Sequence, residues 1–155
     1  VHLSLVSFSS NRLRRIPKAL RKLTTLSEVS LSGNKITEIN ARDLPSLRGM
    51  AALDIRNNRL EEVDPEVFSS AQHMSRLDLA GNPWRCDCDL LPLRNWLEDH
   101  VDNVATGRQP ACASPVLLEG RPMMDVPTED FLCPNRETLD RVCYQLCEEH
   151  DCDEV

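Results

Sequence analysis

With 155 residues the chain has room for one compact domain, or for a short solenoid plus a cap, and its 41% hydrophobic and 28% charged content is ordinary for a folded chain. Only 4% of residues are aromatic, so any core must be mostly aliphatic, and no apolar run approaches the ~18–20 residues of a membrane span. The net charge of −7 is uneven: residues 133–155 carry seven acids against Arg136 and Arg141, which leaves the rest near neutral and without the basic face that nucleic acid demands.

The chain opens VHLSLVSFSSNRL, with neither the basic start nor the cleavage site of a signal peptide, as expected of a mature or cut-down segment of an exported protein. From there a repeat governs the first half. Asn11, Asn34, Asn58 and Asn82 are spaced by 23, 24 and 24 residues. Before each, apolar residues stand at −8, −5 and −3: Leu3, Val6, Phe8; Leu26, Val29, Leu31; Met50, Leu53, Ile55; and Met74, Leu77, Leu79. After the first three, others follow at +2 (Leu13, Ile36, Leu60) and +5 (Ile16, Ile39, Val63).

Alternation at −5 and −3 is the period of a short strand with one buried face. The Asn that follows has an amide able to satisfy backbone groups inside a turn. One unit cannot bury its apolar face alone, so the units must stack, with strands in a parallel sheet and asparagines in a ladder. Over roughly residues 3–82 the sequence resembles the leucine-rich-repeat family, L-x-x-L-x-L-x-x-N-x-L.

Residues between the buried strand positions should then line the concave side: Leu5 and Ser7, Glu28 and Ser30, Ala52 and Asp54, Arg76 and Asp78, with Ser9, Ser32, Arg56 and Ala80 further along. The candidate binding face is Leu5, Glu28, Asp54, Arg56, Arg76 and Asp78, a mixed-charge surface without an aromatic anchor. The alternative is that these side chains are merely solvated.

The last unit runs into NPWRCDCDLLPLRNWLEDH. Trp84 supplies an apolar plate able to close the end of the core. Leu90, Leu93, Trp96 and Leu97 recur at helical spacing, with Pro92 in the first turn, so a short helix is expected over that end. All seven cysteines fall between positions 86 and 152, a local framework best matched to an oxidising compartment. Cys86 and Cys88 stand too close to bridge each other without strain, and Cys112 and Cys133 are the available distant partners. A zinc site built from the same four is the competing arrangement, although C-x-C lacks the usual C-x2–4-C spacing.

This segment is similar to the C-terminal cysteine-rich cap of extracellular leucine-rich-repeat proteins. That resemblance implies the pairs Cys86–Cys112 and Cys88–Cys133. The fold expected is α/β: a leucine-rich-repeat solenoid with a short parallel sheet on its concave face, closed by a disulfide-bonded helical cap. Residues 1–82 would be the repeats, 83–133 the cap, and 134–155 an acidic cysteine-containing tail.

Cys143, Cys147 and Cys152 remain, an odd number. They imply either a pair plus a free thiol open to an interchain bridge, or the truncated start of a following cap. At the other end nothing precedes Leu3, Val6 and Phe8 to cover their edge, so both ends read as cut from something longer. Repeats, a cap ending LLEGRPMMDVPTEDFLCP and a fresh cysteine group are together similar to invertebrate Toll receptor ectodomains, with Slit and the Nogo receptor as other relatives sharing this cap. The Toll resemblance implies a receptor fragment binding a secreted cystine-knot ligand in innate immune or developmental signalling; the Slit or Nogo-receptor resemblance implies adhesion or guidance. His2, His73, His100 and His150 match no catalytic motif, so neither an enzyme nor a cofactor is expected. Cys147, His150 and Cys152 stand close enough in sequence for a metal, but a solvated acidic tail is the simpler reading. The partner expected is a protein ligand or co-receptor.

Overall fold

The computed structural model describes residues 3–44 and 47–133. Readings that concern residues 134–155, among them the pairing of Cys143, Cys147 and Cys152 and the following cap, lie outside the described residues.

Four strands form at the four repeats: β1 (Leu5–Ser7), β2 (Glu28–Ser30), β3 (Ala52–Asp54) and β4 (Arg76–Asp78). They make one parallel sheet in sequence order. Val6, Val29, Leu53 and Leu77 stand opposite one another, flanked by Leu5, Glu28, Ala52, Arg76 on one side and Ser7, Ser30, Asp54, Asp78 on the other. The middle column faces inward and the flanking columns face the concave side, because strand side chains alternate. Val29, Leu53 and Leu77 are buried, whereas Val6 is only half-buried. Leu3, expected among the inward positions, is 43% exposed. Among the described residues the first coil has a neighbour on one side only, β2, and its −8 position is left uncovered.

The asparagines hold the turns. Asn58 lies buried, its Nδ2 donating to the carbonyls of Ile55 in its own coil and Leu31 in the previous one, both at 3.0 Å. Its Oδ1 accepts from the Ile36 N–H at 3.2 Å. Asn34 and Asn82 repeat this arrangement: Asn34 Nδ2 reaches the Leu31 and Phe8 carbonyls and Asn82 Nδ2 those of Leu79 and Ile55. Each amide thus serves carbonyls of two coils, and the buried Leu31 and Ile55 carbonyls each accept from two successive asparagines. The residue before each asparagine (Ser10, Gly33, Asn57, Gly81) has positive φ, between 55° and 73°. Gly81 is also crowded, since a Cβ there would lie 2.0 Å from Asn57 Oδ1.

On the convex side, 3-10 turns at Lys18–Lys22 and Leu47–Gly49 carry Leu20 and Leu47 into the core, joined by Leu44, Val67, Phe68 and Ala71. At the far end Trp84 takes the place after Asn82 that Leu13, Ile36 and Leu60 take after theirs. It is fully buried, and its Nε1 donates to the Leu79 carbonyl at 3.0 Å. Trp84 opens β5 (Trp84–Arg85). Asp87 then accepts from the Asp89 N–H and caps a 3-10 turn, Cys88–Leu90, that leads into α1 (Leu91–Asp99). Leu90, Leu93 and Leu97 are buried toward the repeats. Trp96, half-buried, rests its ring 5.3 Å from Phe68 and 4.2 Å from His100. A last strand, β6 (Cys112–Ser114), pairs in parallel with β5. Cys86 is bonded to Cys112, and Cys88 to Cys133. The parallel-sheet solenoid with its disulfide-bonded helical cap is therefore the observed architecture. None of the described helices is long and apolar enough to cross a membrane.

Asn58→Ala leaves the buried Ile36 N–H without its acceptor, at about 1–3 kcal/mol for the orphan, and takes one of two donors from the Leu31 and Ile55 carbonyls. Urea unfolding should show a loss of about 1–3 kcal/mol, against less than about 1 for Asn11→Ala, whose side chain is exposed. Equal losses would contradict the ladder as the source of coil stability.

Candidate functional site: the concave face and its cap

The flanking columns of the sheet form a shallow groove in which Leu5, Glu28, Asp54, Arg56, Arg76 and Asp78 all take part. Its two halves differ chemically. On the first two coils, Ser7, Ser9, Ser30 and Ser32 join their hydroxyls, with Ser9 Oγ 2.7 Å from Ser30 Oγ and Ser32 Oγ donating to Ser9 Oγ at 3.2 Å. Leu5 stands beside this network 57% exposed.

Ion pairs fill the second half. Arg56 grips Asp54 through both ends of its guanidinium, Nε to Oδ1 at 2.9 Å and Nη2 to Oδ2 at 2.7 Å. Arg76 Nε donates to Asp78 Oδ2 at 2.8 Å. Burial works to raise the Asp54 pKa, but hydrogen bonds from the Arg56 side chain and backbone, with the charges of Arg56 and Arg76, outweigh it. The net shift is downward from the ordinary 3.8. Fixing both arginines against acids leaves alternating charge in a defined geometry, a pattern suited to recognising a shaped polar surface.

Asp78 lines the groove but, at 2% exposure, presents almost none of its own surface there. The cap lays a fifth rung across this end of the sheet. Ala105 bridges in parallel to Arg76, donates its N–H to the Ser75 carbonyl at 2.9 Å, and accepts from the Leu77 N–H at 2.9 Å. Two residues on, Gly107 (φ +60°) presses against Asp78 so closely that a Cβ would lie 2.5 Å from Oδ1. Ala80, further along the same coil, is buried as well. Residues 105–107 lack the aliphatic repeat pattern, so periodicity could not find them; the glycine in ATGRQP was the one available signal.

Arg85 was likewise missed. It joins the last coil to the cap by donating to Asp87 at 2.7 Å and to Glu62 at 2.6 Å, with Glu61 at 3.5 Å. Of the cysteines, Cys88 and Cys133 gather with Asp89 at one corner of the cap, where the two sulfurs are bonded to each other. His73 lies exposed, and His100 Nδ1 donates to the Trp96 carbonyl at 2.7 Å.

Stacked coils, asparagine ladder and two-bridge cap together define a leucine-rich-repeat protein with a C-terminal cysteine-rich cap. No family model matches the chain. Among curated proteins it is similar to human vasorin, 28% identical over 131 residues that cover 84% of this chain and 20% of vasorin. Mouse nephrocan is 34% identical over 122 residues, 79% of this chain and 23% of nephrocan. Among solved structures, Drosophila Toll in its glycosylated complex with Spatzle superposes with a TM-score of 0.70 at 29% identity, over 86% of this chain and 17% of that one. Human trophoblast glycoprotein shares the fold, with a TM-score of 0.69 at 24% identity over 84% of this chain and 47% of that one. The chain thus spans about a fifth of the two curated relatives. These relatives are extracellular or cell-surface proteins and the disulfides fit the same compartment, so the chain is extracellular.

Two outcomes follow from the face. Because the folded-state pKa of Asp54 is depressed, its pairing with Arg56 stabilises the fold above the unfolded value of about 3.9 and is lost as pH falls through the lower folded value. Asp54→Asn should flatten the acid limb of the stability curve; an unchanged limb would contradict the pairing. Gly107→Ala must push the fifth rung away from Asp78. Hydrogen exchange at the Leu77 and Ala105 amides should quicken, and unaltered protection would show that the rung does not depend on the missing side chain.

Proposed function

We propose that the chain is a protein-recognition segment of a receptor-type ectodomain, and that its concave face, from Leu5 and Glu28 through Asp54, Arg56 and Arg76, takes a secreted protein ligand. The observation that carries this reading is the pair of arginines held against acids on an otherwise open face. Such a face offers fixed donors and acceptors across several coils, while the rigid stack spares the ordering cost that a loop-built surface would bear. It holds no nucleophile with an adjacent base among the described residues, so recognition without chemistry is the function that suits it.

Within that class we favour a Toll-like role in innate immune or developmental signalling. The solved complex of Drosophila Toll with Spatzle supports a protein partner for this kind of ectodomain. An adhesion or guidance role of the Slit type is the second reading, favoured by the similarity to mouse SLIT and NTRK-like protein 4, 43% identical over 56 residues. In either case residues 1–82 supply the face and residues 83–133 close it.

The test is a binding screen of the chain against secreted proteins, with Spatzle as the first probe and Arg56→Glu/Arg76→Glu as the matched variant. A ligand of the concave face should lose at least about tenfold in affinity, since truncating or reversing a close charge pair costs several kcal/mol. A ligand bound equally well by the variant would place recognition elsewhere and overturn the assignment of this face.

A further inference from the structure

The two bridges of the cap are unequally protected. Cys86 and Cys112 are 0% and 2% exposed, within the same core as Trp84. Cys88 is half-buried at the edge of a second groove, beside Asp89, Glu62, Asp64 and Glu38, and Cys133 is exposed. Thiol–disulfide exchange requires a thiolate to reach one sulfur while the other leaves, so access decides which bridge reacts. One bridge offers that access and the other does not.

We propose that Cys88–Cys133 is an exchangeable disulfide, opened by thiols that carry no net negative charge, while Cys86–Cys112 is a permanent structural bond. A thiolate attacks Cys133 Sγ, the bond to Cys88 breaks, and Cys88 leaves with the electron pair and takes a proton from water. The product is a mixed disulfide at Cys133. A second thiol attacks that bond and releases Cys133 as a thiol, so the protein disulfide gains two electrons and two thiols are oxidised to their own disulfide.

Charge selects the thiol. Asp87 and Asp89 flank Cys88, and Glu129 and Asp130 lie just before Cys133. These carboxylates repel an anionic attacker at close range and attract a cationic one.

The experiment uses the full chain, pulsed with cysteamine, mercaptoethanol or glutathione, then alkylated and mapped by mass spectrometry. Label should enter Cys88 and Cys133 at least about tenfold faster than Cys86 and Cys112, with cysteamine faster than glutathione at equal thiolate concentration. The fluorescence of buried Trp84 should stay unchanged while the bridge opens. Equal rates at the two bridges, earlier opening of Cys86–Cys112, or loss of the Trp84 signal in step with labelling would each overturn the proposal; glutathione outpacing cysteamine would overturn its charge selection.

Discussion

A polypeptide that turns inward every 23 or 24 residues brings backbone carbonyls into its own core, and each of them must find a donor there. The buried amides of Asn34, Asn58 and Asn82 meet that constraint by serving two coils at once. Hydrophobic burial supplies most of the driving force for stacking, but it is non-directional. The amide is directional, and it sets the register in which Val29, Leu53 and Leu77 align. Everything on the concave face inherits its spacing from that register.

The cap continues the same logic with different parts. Trp84 stands where an aliphatic residue stands in earlier coils, and its indole N–H meets the Leu79 carbonyl. It therefore closes the apolar column and gives the Leu79 carbonyl, already served by Asn82, the second donor that a further asparagine would supply. Arg85 then ties this end to Glu62 and Asp87, while the 3-10 turn covers it with Leu90 and α1 with Leu93 and Leu97. The covalent bridges hold a layer whose packing has already been arranged by the solenoid beneath it.

Much of this was legible in the sequence because repetition multiplies a weak signal. A single alternation of apolar residues says little, but four in register, each followed by asparagine, name strands, turn and ladder together. The strands at Leu5–Ser7, Glu28–Ser30, Ala52–Asp54 and Arg76–Asp78 fall where the pattern puts them, and the helix covers the leucines expected of it. What escaped the sequence was non-repeating and long-range. Asp78 has the same position in its coil as Asp54, and nothing local reveals that Gly107, 29 residues later, closes over one and not the other. Leu3 fits the repeat perfectly and is still exposed, because burial belongs to neighbours and not to the residue. Arg85 shows the same limit, since its acids come from different turns of the chain.

The rung at Ala105 has a consequence beyond the face it narrows. A parallel sheet ends in a row of unsatisfied N–H and C=O groups, an adhesive rim on which foreign strands can be templated. Here the Leu77 N–H and Ser75 carbonyl at that rim are already engaged by a segment that forms one bridge and then turns away at a glycine. At this rim the cap thus acts as a stopper, keeping the rigidity of stacked strands while occupying the groups on which another strand would be templated.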